Sequence, residues 1–248
     1  MDNCKEIKQT FWTKKSLKTE VFGKEIKKIF LNRNDELLPT YWYGSHYTKS
    51  KNVKIEEDSP ILFMKALLDD TTINGFMQNT QYGFTNSDRK KREFIFDISF
   101  GGTPKTFYTF SFSISHEYFT CIERIIKFLN IGKQIIELIN PIYGKIHDIG
   151  DSVETRKRGQ TLDVYNKIPR VYWGNFINNE YIQKIGDKKL ESFEAYKNEI
   201  IANGRFIQLT ESPFDFNTKD FKEKQKKLEK IIGKKFLGYK EAKLPFKL

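Results

Sequence analysis

The chain of 248 residues contains only two cysteines, Cys4 and Cys121. Two thiols cannot build a disulfide framework, so the fold must rest on its core, and a reducing compartment, the cytoplasm, is implied. Cys121 is expected as a buried thiol on an apolar helix face. No apolar run approaches the roughly 18–20 residues of a membrane span. The start, Met-Asp-Asn-Cys-Lys-Glu, lacks the apolar stretch of a signal peptide. The three histidines, His46, His116 and His147, lie far apart, and none has a second His or Cys at ligand spacing, so no metal is expected. His116 is read as an exposed or capping residue. There is no G-x-x-x-x-G-K-[ST], no G-x-G-x-x-G and no nucleophile elbow. His147-Asp148 would orient an imidazole but has no nucleophile to serve. Three Glu-x-Lys matches (Glu6–Lys8, Glu25–Lys27 and Glu241–Lys243) are what so much Lys and Glu gives by chance, and none has an evident Asp strand beside it. No catalytic residue and no cofactor emerges. A binding protein is the expectation, not an enzyme.

Arginine is missing from both ends. Residues 1–30 carry eight Lys against four acids, residues 218–248 carry eleven against four, and the span between holds 24 of each sign. The whole formal charge of +11 therefore sits in the terminal segments. A nucleic-acid groove draws Arg as well as Lys from several elements, so nucleic acid is disfavoured and the Lys-rich ends read as solvated faces.

What the chain has in plenty is aromatic residues, 15% of the total with 22 Phe and 12 Tyr. They supply ample core and exclude disorder over most of the length. The clearest pattern is Glu93–Ile114. Phe94, Phe96, Ile98 and Phe100 fall on one face with Ile95, Asp97 and Ser99 on the other, and after Gly101-Gly102-Thr103-Pro104 the set Tyr108, Phe110, Phe112 and Ile114 alternates with Phe107, Thr109, Ser111 and Ser113, which predicts a β-hairpin. A helix follows from the N-cap Ser115, with Glu117 in its first turn and Phe119, Ile122, Ile125 or Ile126, and Leu129 at helical spacing. It is expected to end or bend near Gly132 and to stop before Pro141.

Other expectations follow the same rules. Val21–Leu31 is read as a first strand, Leu38–Ser50 as an aromatic loop, and Ser59-Pro60 as the start of a short helix. Ile73–Phe84, Tyr143–Ile149, Arg170–Phe176 and Arg205–Thr210 are read as strands. Asn178–Ile185 is a short helix, and Leu190, Phe193, Lys197 and Ile200 are placed on a second, stopped by Asn203-Gly204. Asn217 caps a last helix with a stripe of Phe221, Leu228, Ile231 and Ile232. Together these give an α+β fold, an antiparallel sheet with helices mainly on one face. The chain is one domain, or two packed halves of about 1–150 and 167–248 joined by an exposed loop, 150–166.

The order Trp173-Gly-Asn-Phe176, Tyr181, Gly186, Leu190, Gly204, Ile207-Gln208-Leu209 and Pro213 resembles bacterial type VI secretion immunity proteins of the immunity protein 52 kind. The likeness spans about 70–100 residues, and Pro141-Ile-Tyr143-Gly144 is compatible with it. It implies a cytosolic antitoxin whose partner is a cognate protein toxin, often a nuclease. Inhibitors of nucleases commonly present acidic surfaces, whereas this chain is neutral at its centre and basic at its ends. The partner is then acidic, or the contact uses neutral aromatic surface, or the toxin is not a nuclease. Two loops offer the Tyr, Trp and Arg residues that anchor interfaces. One holds Tyr41, Trp42, Tyr43, His46 and Tyr47, and the other Arg156 and Arg158. A nucleic-acid-associated or anti-defence protein acting through its Lys-rich ends is the alternative. Trp173 itself is read as core.

Overall fold

The hairpin predicted from alternation forms, with Gly101 and Gly102, expected in its turn, still paired to Thr109 and Tyr108. In the computed structural model, which describes residues 5–17, 19–31, 36–37, 41–43, 53–54, 82–85, 96–102, 107–151 and 160–241, the chain divides into two compact units, Met1–Asn140 and Pro141–Leu248. The joint thus falls ten residues before the loop at which the sequence placed it. The architecture is α+β.

In the first unit the strands are β1 (Glu6–Thr13), β2 (Tyr41–Tyr43), β3 (Val53–Lys54), β4 (Tyr82–Thr85), β5 (Phe96–Gly102) and β6 (Tyr108–Ser115). They pair antiparallel in the order β1-β6-β5-β4-β2-β3. Phe96, Ile98 and Phe100 of β5 stand opposite Ile114, Phe112 and Phe110 of β6. Strand β1 is an element the pattern did not announce. Its Ile7 and Phe11 share a face with Gln9 and Thr13, opposite Ile114, Phe110, Phe112 and Tyr108 of β6. All four are buried. Two polar residues on an inward face erase the alternation on which strand recognition rests.

The segment read as a first strand is helix α1 (Glu20–Ile26), continued by a π-helical turn, Lys27–Leu31. Its inward residues are Phe22, Ile26 and Phe30, four apart, and Thr19 Oγ1 accepts the Phe22 N–H at 3.1 Å as a cap. Helix α2 (Ile122–Ile139) then runs unbroken through Gly132, where a bend was expected. A Cβ at Gly132 would overlap the Gln9 side chain, so this glycine marks close approach of strand to helix. Gln9 Nε2 donates to Phe128 O and Thr13 Oγ1 to Ile139 O, both at 2.7 Å. Phe30 and Phe128 both meet Phe112, with centroids 5.5 and 5.3 Å apart. Both helical segments thus cover one face of β6. Ser115 does not cap α2. It precedes a 3-10 turn, His116–Tyr118, and Cys121 holds the N-cap position with an exposed thiol, not a buried one. Asn140 ends the helix in the left-handed region (φ 48°), as a residue before Pro141 must leave the helical region.

In the second unit come β7 (Tyr143–Asp148), β8 (Gln160–Thr161), β9 (Gly174–Asn178), α3 (Asn179–Ile185), α4 (Asp187–Glu191), β10 (Lys197–Ile201), β11 (Gly204–Gln208), α5 (Lys219–Ile232) and β12 (Lys240–Glu241). The antiparallel order is β7-β9-β11-β10, with β8 and β12 paired separately. The expected strand at Arg170 starts only at Gly174. The expected second helix ends at Glu191. Lys197 and Ile200, placed on that helix, belong to β10, and Ile200 is 74% exposed. Ala202 (φ 50°) and Asn203 form the two-residue turn of a β10–β11 hairpin, so Asn203-Gly204 ends a strand and starts another instead of stopping a helix. Thr218, one residue beyond the expected Asn217, caps α5 through the Phe221 N–H (3.3 Å). The buried stripe of α5 is Phe221, Gln225, Leu228 and Ile232, with Ile231 only partly covered.

The expected helix after Ser59-Pro60, residue Phe94, Cys4 and the 73–81 part of the expected strand lie outside the described residues.

Candidate functional site

The residues that carry the family resemblance build the frame of the second unit. Trp173 is buried, and its indole N–H donates to Thr210 O at 2.8 Å. Asn175 folds its amide back on the chain: Oδ1 accepts the Tyr172 N–H (2.9 Å) and Nδ2 donates to Tyr172 O (2.7 Å). The Tyr172 backbone is thereby satisfied by a side chain, while Trp173 O accepts the Leu209 N–H at 2.9 Å. Asn178 caps α3 by accepting the Tyr181 N–H at 3.1 Å, and the buried Tyr181 hydroxyl donates to Val164 O at 3.0 Å. Gly204 faces Ile177 O and the Phe176 ring so closely that a Cβ has no room.

Beneath this frame lies a polar cluster that the sequence did not reveal, since its members are spread over 80 positions. Asp151 is buried, and Arg170 clamps it, donating from one nitrogen to Asp151 O and from the other to Oδ1, each at 3.0 Å. Lys222 of α5 stands 3.7 Å from the same Oδ1. Burial pushes the Asp151 carboxyl up from its ordinary value, while Arg170 and Lys222 pull it back. One helical turn on, Gln225 Nε2 donates to Val171 O at 2.7 Å. Burial raises the carboxyl of the half-buried Glu229 from its ordinary value, with the Val171 backbone and the charges of Arg170 and Lys222 opposing it. Burial also raises the Tyr143 and Tyr181 phenols well above the usual value. Tyr143 donates to Arg170 O at 3.0 Å.

His147 and Asp148, the imidazole pair noted in the sequence, are both buried. Asp148 Oδ1 accepts the Gly150 N–H at 2.6 Å, and the His147 ring lies 5.0 Å from that of Tyr172. Both contacts shape the chain end of β7. Among the described residues no group of three His, Cys, Asp or Glu is arranged to hold a metal ion. Glu6 and Lys8 of β1 face Ser115 and Ser113 of β6, so that Glu-x-Lys match has no carboxylate across from it on that strand.

The expected aromatic binding loop is in part a strand. Tyr41–Tyr43 form β2, held between β4 and β3, with Tyr41, Trp42 and Tyr43 opposite Thr85, Phe84 and Gly83. Both flanking strands supply backbone partners, which a free loop tip lacks. His46, Tyr47, Arg156 and Arg158 lie outside the described residues.

A surface feature of the second unit went unread. Between the chain after α4 and the outer side of α5 runs a groove of about 490 Å³. Phe193 and Ile231 are its apolar lining, and Lys224, Lys227 and Lys230 alternate around it with Glu194, Asp220 and Glu223. The sequence assigned Phe193 to a helix and Ile231 to a buried stripe, which hid their pairing.

Among the described residues no helix is long and apolar enough to cross a membrane. No protein-family profile matches the chain, and no curated protein matches it. Among solved structures, its fold is similar to that of the Pseudomonas aeruginosa T6SS protein PA0821. The TM-score is 0.55 at 16% identity, over 82% of this chain and 67% of that one.

Proposed function

We propose that this chain is an immunity protein: it binds a cognate secreted toxin in the cytoplasm and blocks it by occupancy, with no catalysis of its own. The observation that carries this is the fold likeness to a type VI secretion protein. It converges with the Trp-Gly-Asn-Phe constellation, whose residues form the hydrogen-bonded frame of the second unit. In the Asp151 cluster Arg170 and Lys222 both meet Asp151 Oδ1, and Arg170 also holds Asp151 O, which suits a scaffold for a binding surface. The test is co-expression with a secreted toxin from a neighbouring gene of its host. A stable complex and restored growth are expected. Toxicity that persists while both proteins are present and folded would sink the proposal.

A further inference from the structure

Strand β10 ends the sheet order, and among the described residues it pairs with β11 alone. Which of its backbone groups lie on the open side follows from β11. Asn203 O accepts the Asn179 N–H at 2.8 Å, and the Leu209 N–H donates to Trp173 O at 2.9 Å. These residues flank β11 in its register with β9, so the odd-numbered positions of β11 turn their backbone groups to β9. The even-numbered Gly204, Phe206 and Gln208 therefore serve Ile201, Glu199 and Lys197 of β10. That leaves the N–H and C=O of Asn198 and Ile200 on the open edge. Large apolar side chains stand there too: Ile200 is 74% exposed, and Tyr196, just before the strand, 45%. Guarded edges carry proline or charge of one sign, which repels a second strand. β10 has no proline, and its two charges, Lys197 and Glu199, are opposite in sign and two positions apart on one face.

We infer that β10 pairs antiparallel with β10 of a second copy of this chain, about a two-fold axis at Asn198. Charge selects both the occupant and the register. With the axis at Asn198, each Lys197 stands opposite Glu199 of the other copy. The two Asn198 residues then meet backbone to backbone, and each Ile200 comes opposite Tyr196. With the axis at Lys197 or at Glu199, like charges face each other. With the axis at Ile200, each Glu199 faces Ile201 and neither charge meets its opposite. A two-fold contact requires a strand to complement its own reverse, and β10 does so in this one register. The Tyr196 N–H is already given to Leu209 O at 3.3 Å, which keeps the ladder between copies short. The contact is thus smaller than a standard interface, and the dimer forms reversibly with concentration. This inference goes beyond the immunity reading and does not rest on it.

Sedimentation velocity of the full chain up to about 1 mM, the weak end of affinity, tests the pairing. A monomer–dimer equilibrium is expected. Ile200→Pro removes an N–H that only the open edge uses and should raise the dimer Kd by about tenfold or more. Ile200→Asp, which leaves the backbone of β10 unaltered, repeats the test should the proline disturb the hairpin. Lys197→Glu and Glu199→Lys should each weaken self-association, because each sets like charges across the axis twice. Mixed in equal amounts, these two variants should associate about as tightly as the parent chain, since every Glu of one then faces a Lys of the other. Should Glu199→Lys not fold, Lys197→Glu decides alone, and an unchanged Kd overturns the pairing. Ile126→Lys, at an exposed apolar site on α2 of the first unit, should change the Kd by less than about twofold. A chain that stays monomeric, a dimer indifferent to both Ile200 variants, or folded charge variants that do not associate on mixing would each overturn the proposal. No toxin enters the assay, so its outcome is separate from that of the growth test.

Discussion

The two long helices are fastened by opposite means. In the first unit the strand reaches out: Gln9 and Thr13 of β1 donate to carbonyls of α2, which contributes a flat glycine, Gly132, at the crossing. In the second unit the helix reaches out: Gln225 of α5 donates to Val171 O, Lys222 faces Asp151, and the half-buried carboxyl of Glu229 lies one turn on. The first arrangement uses neutral side chains and is indifferent to pH. The second places ionisable groups in the attachment and therefore carries a titration into its stability. The difference teaches that a buried polar contact is defined by which partner brings the side chain, because that partner alone carries the chemical liability.

The comparison breaks most visibly in the apolar layer that the first unit shares between sheet and helices. Phe112→Ala removes the ring on which Phe30 and Phe128 both pack. It should cost about 3–5 kcal/mol, the range for a fully buried Phe, read as a lowered midpoint in urea. An unchanged midpoint would mean that α2 is not seated on β6.

The neutral crossing is tested by a double-variant cycle. Gly132→Ala drives a methyl into the Gln9 amide and should cost about 1–3 kcal/mol as overpacking. Gln9→Ala loses the bond to Phe128 O and leaves a void, a cost of about 1–3 kcal/mol. Together they should cost about 1 kcal/mol or more below the sum, since one change makes room for the other. Strict additivity would refute the close approach.

For the second attachment the expected effect is smaller and pH-dependent. Glu229 holds its proton more tightly in the folded chain than at the ordinary value of 4.5. Its contribution is therefore fully present below that value and is lost as the pH rises through the folded one. Glu229→Gln, which removes the titrating carboxyl at nearly equal size, should melt above the parent chain at pH 8 and alongside it at pH 4. A difference of the same size at both pH values would remove titration from the account. At the weak end, Ile200→Thr on the exposed side of β10 should alter stability by less than about 0.5 kcal/mol.

Legibility in the sequence followed how cleanly each face was apolar. The β5–β6 hairpin was readable because Ile98, Phe110, Phe112 and Ile114 recur at every second position, although its turn begins after Gly102 and not at Gly101. β1 was not, because Gln9 and Thr13 take core positions by finding carbonyl partners 119 and 126 residues away. α1 was misread because Val21, Ile29 and Leu31 stand beside Phe22, Ile26 and Phe30, so that a helical period looks like loose alternation. β10 was misread because an edge strand with Lys197, Glu199 and an exposed Ile200 has no inward pattern of its own. Of the candidate site, the expected loop hid a strand, and the α5 groove depends on Phe193 and Ile231 meeting across 38 positions.

The pairing of β1 with β6 also sets a clock on synthesis. Glu6–Thr13 has no sheet partner until Tyr108–Ser115 exists, and no helix to receive Gln9 and Thr13 until Phe128 and Ile139 follow. At about 5–20 residues per second, Phe11 and Trp12 wait roughly 5–25 s on the ribosome before they can be covered. A strand edge kept waiting that long is a substrate for whichever chaperone meets nascent chains first. How much of this protein a cell accumulates should then respond to translation speed across residues 14–107 more than to the stability of the finished fold.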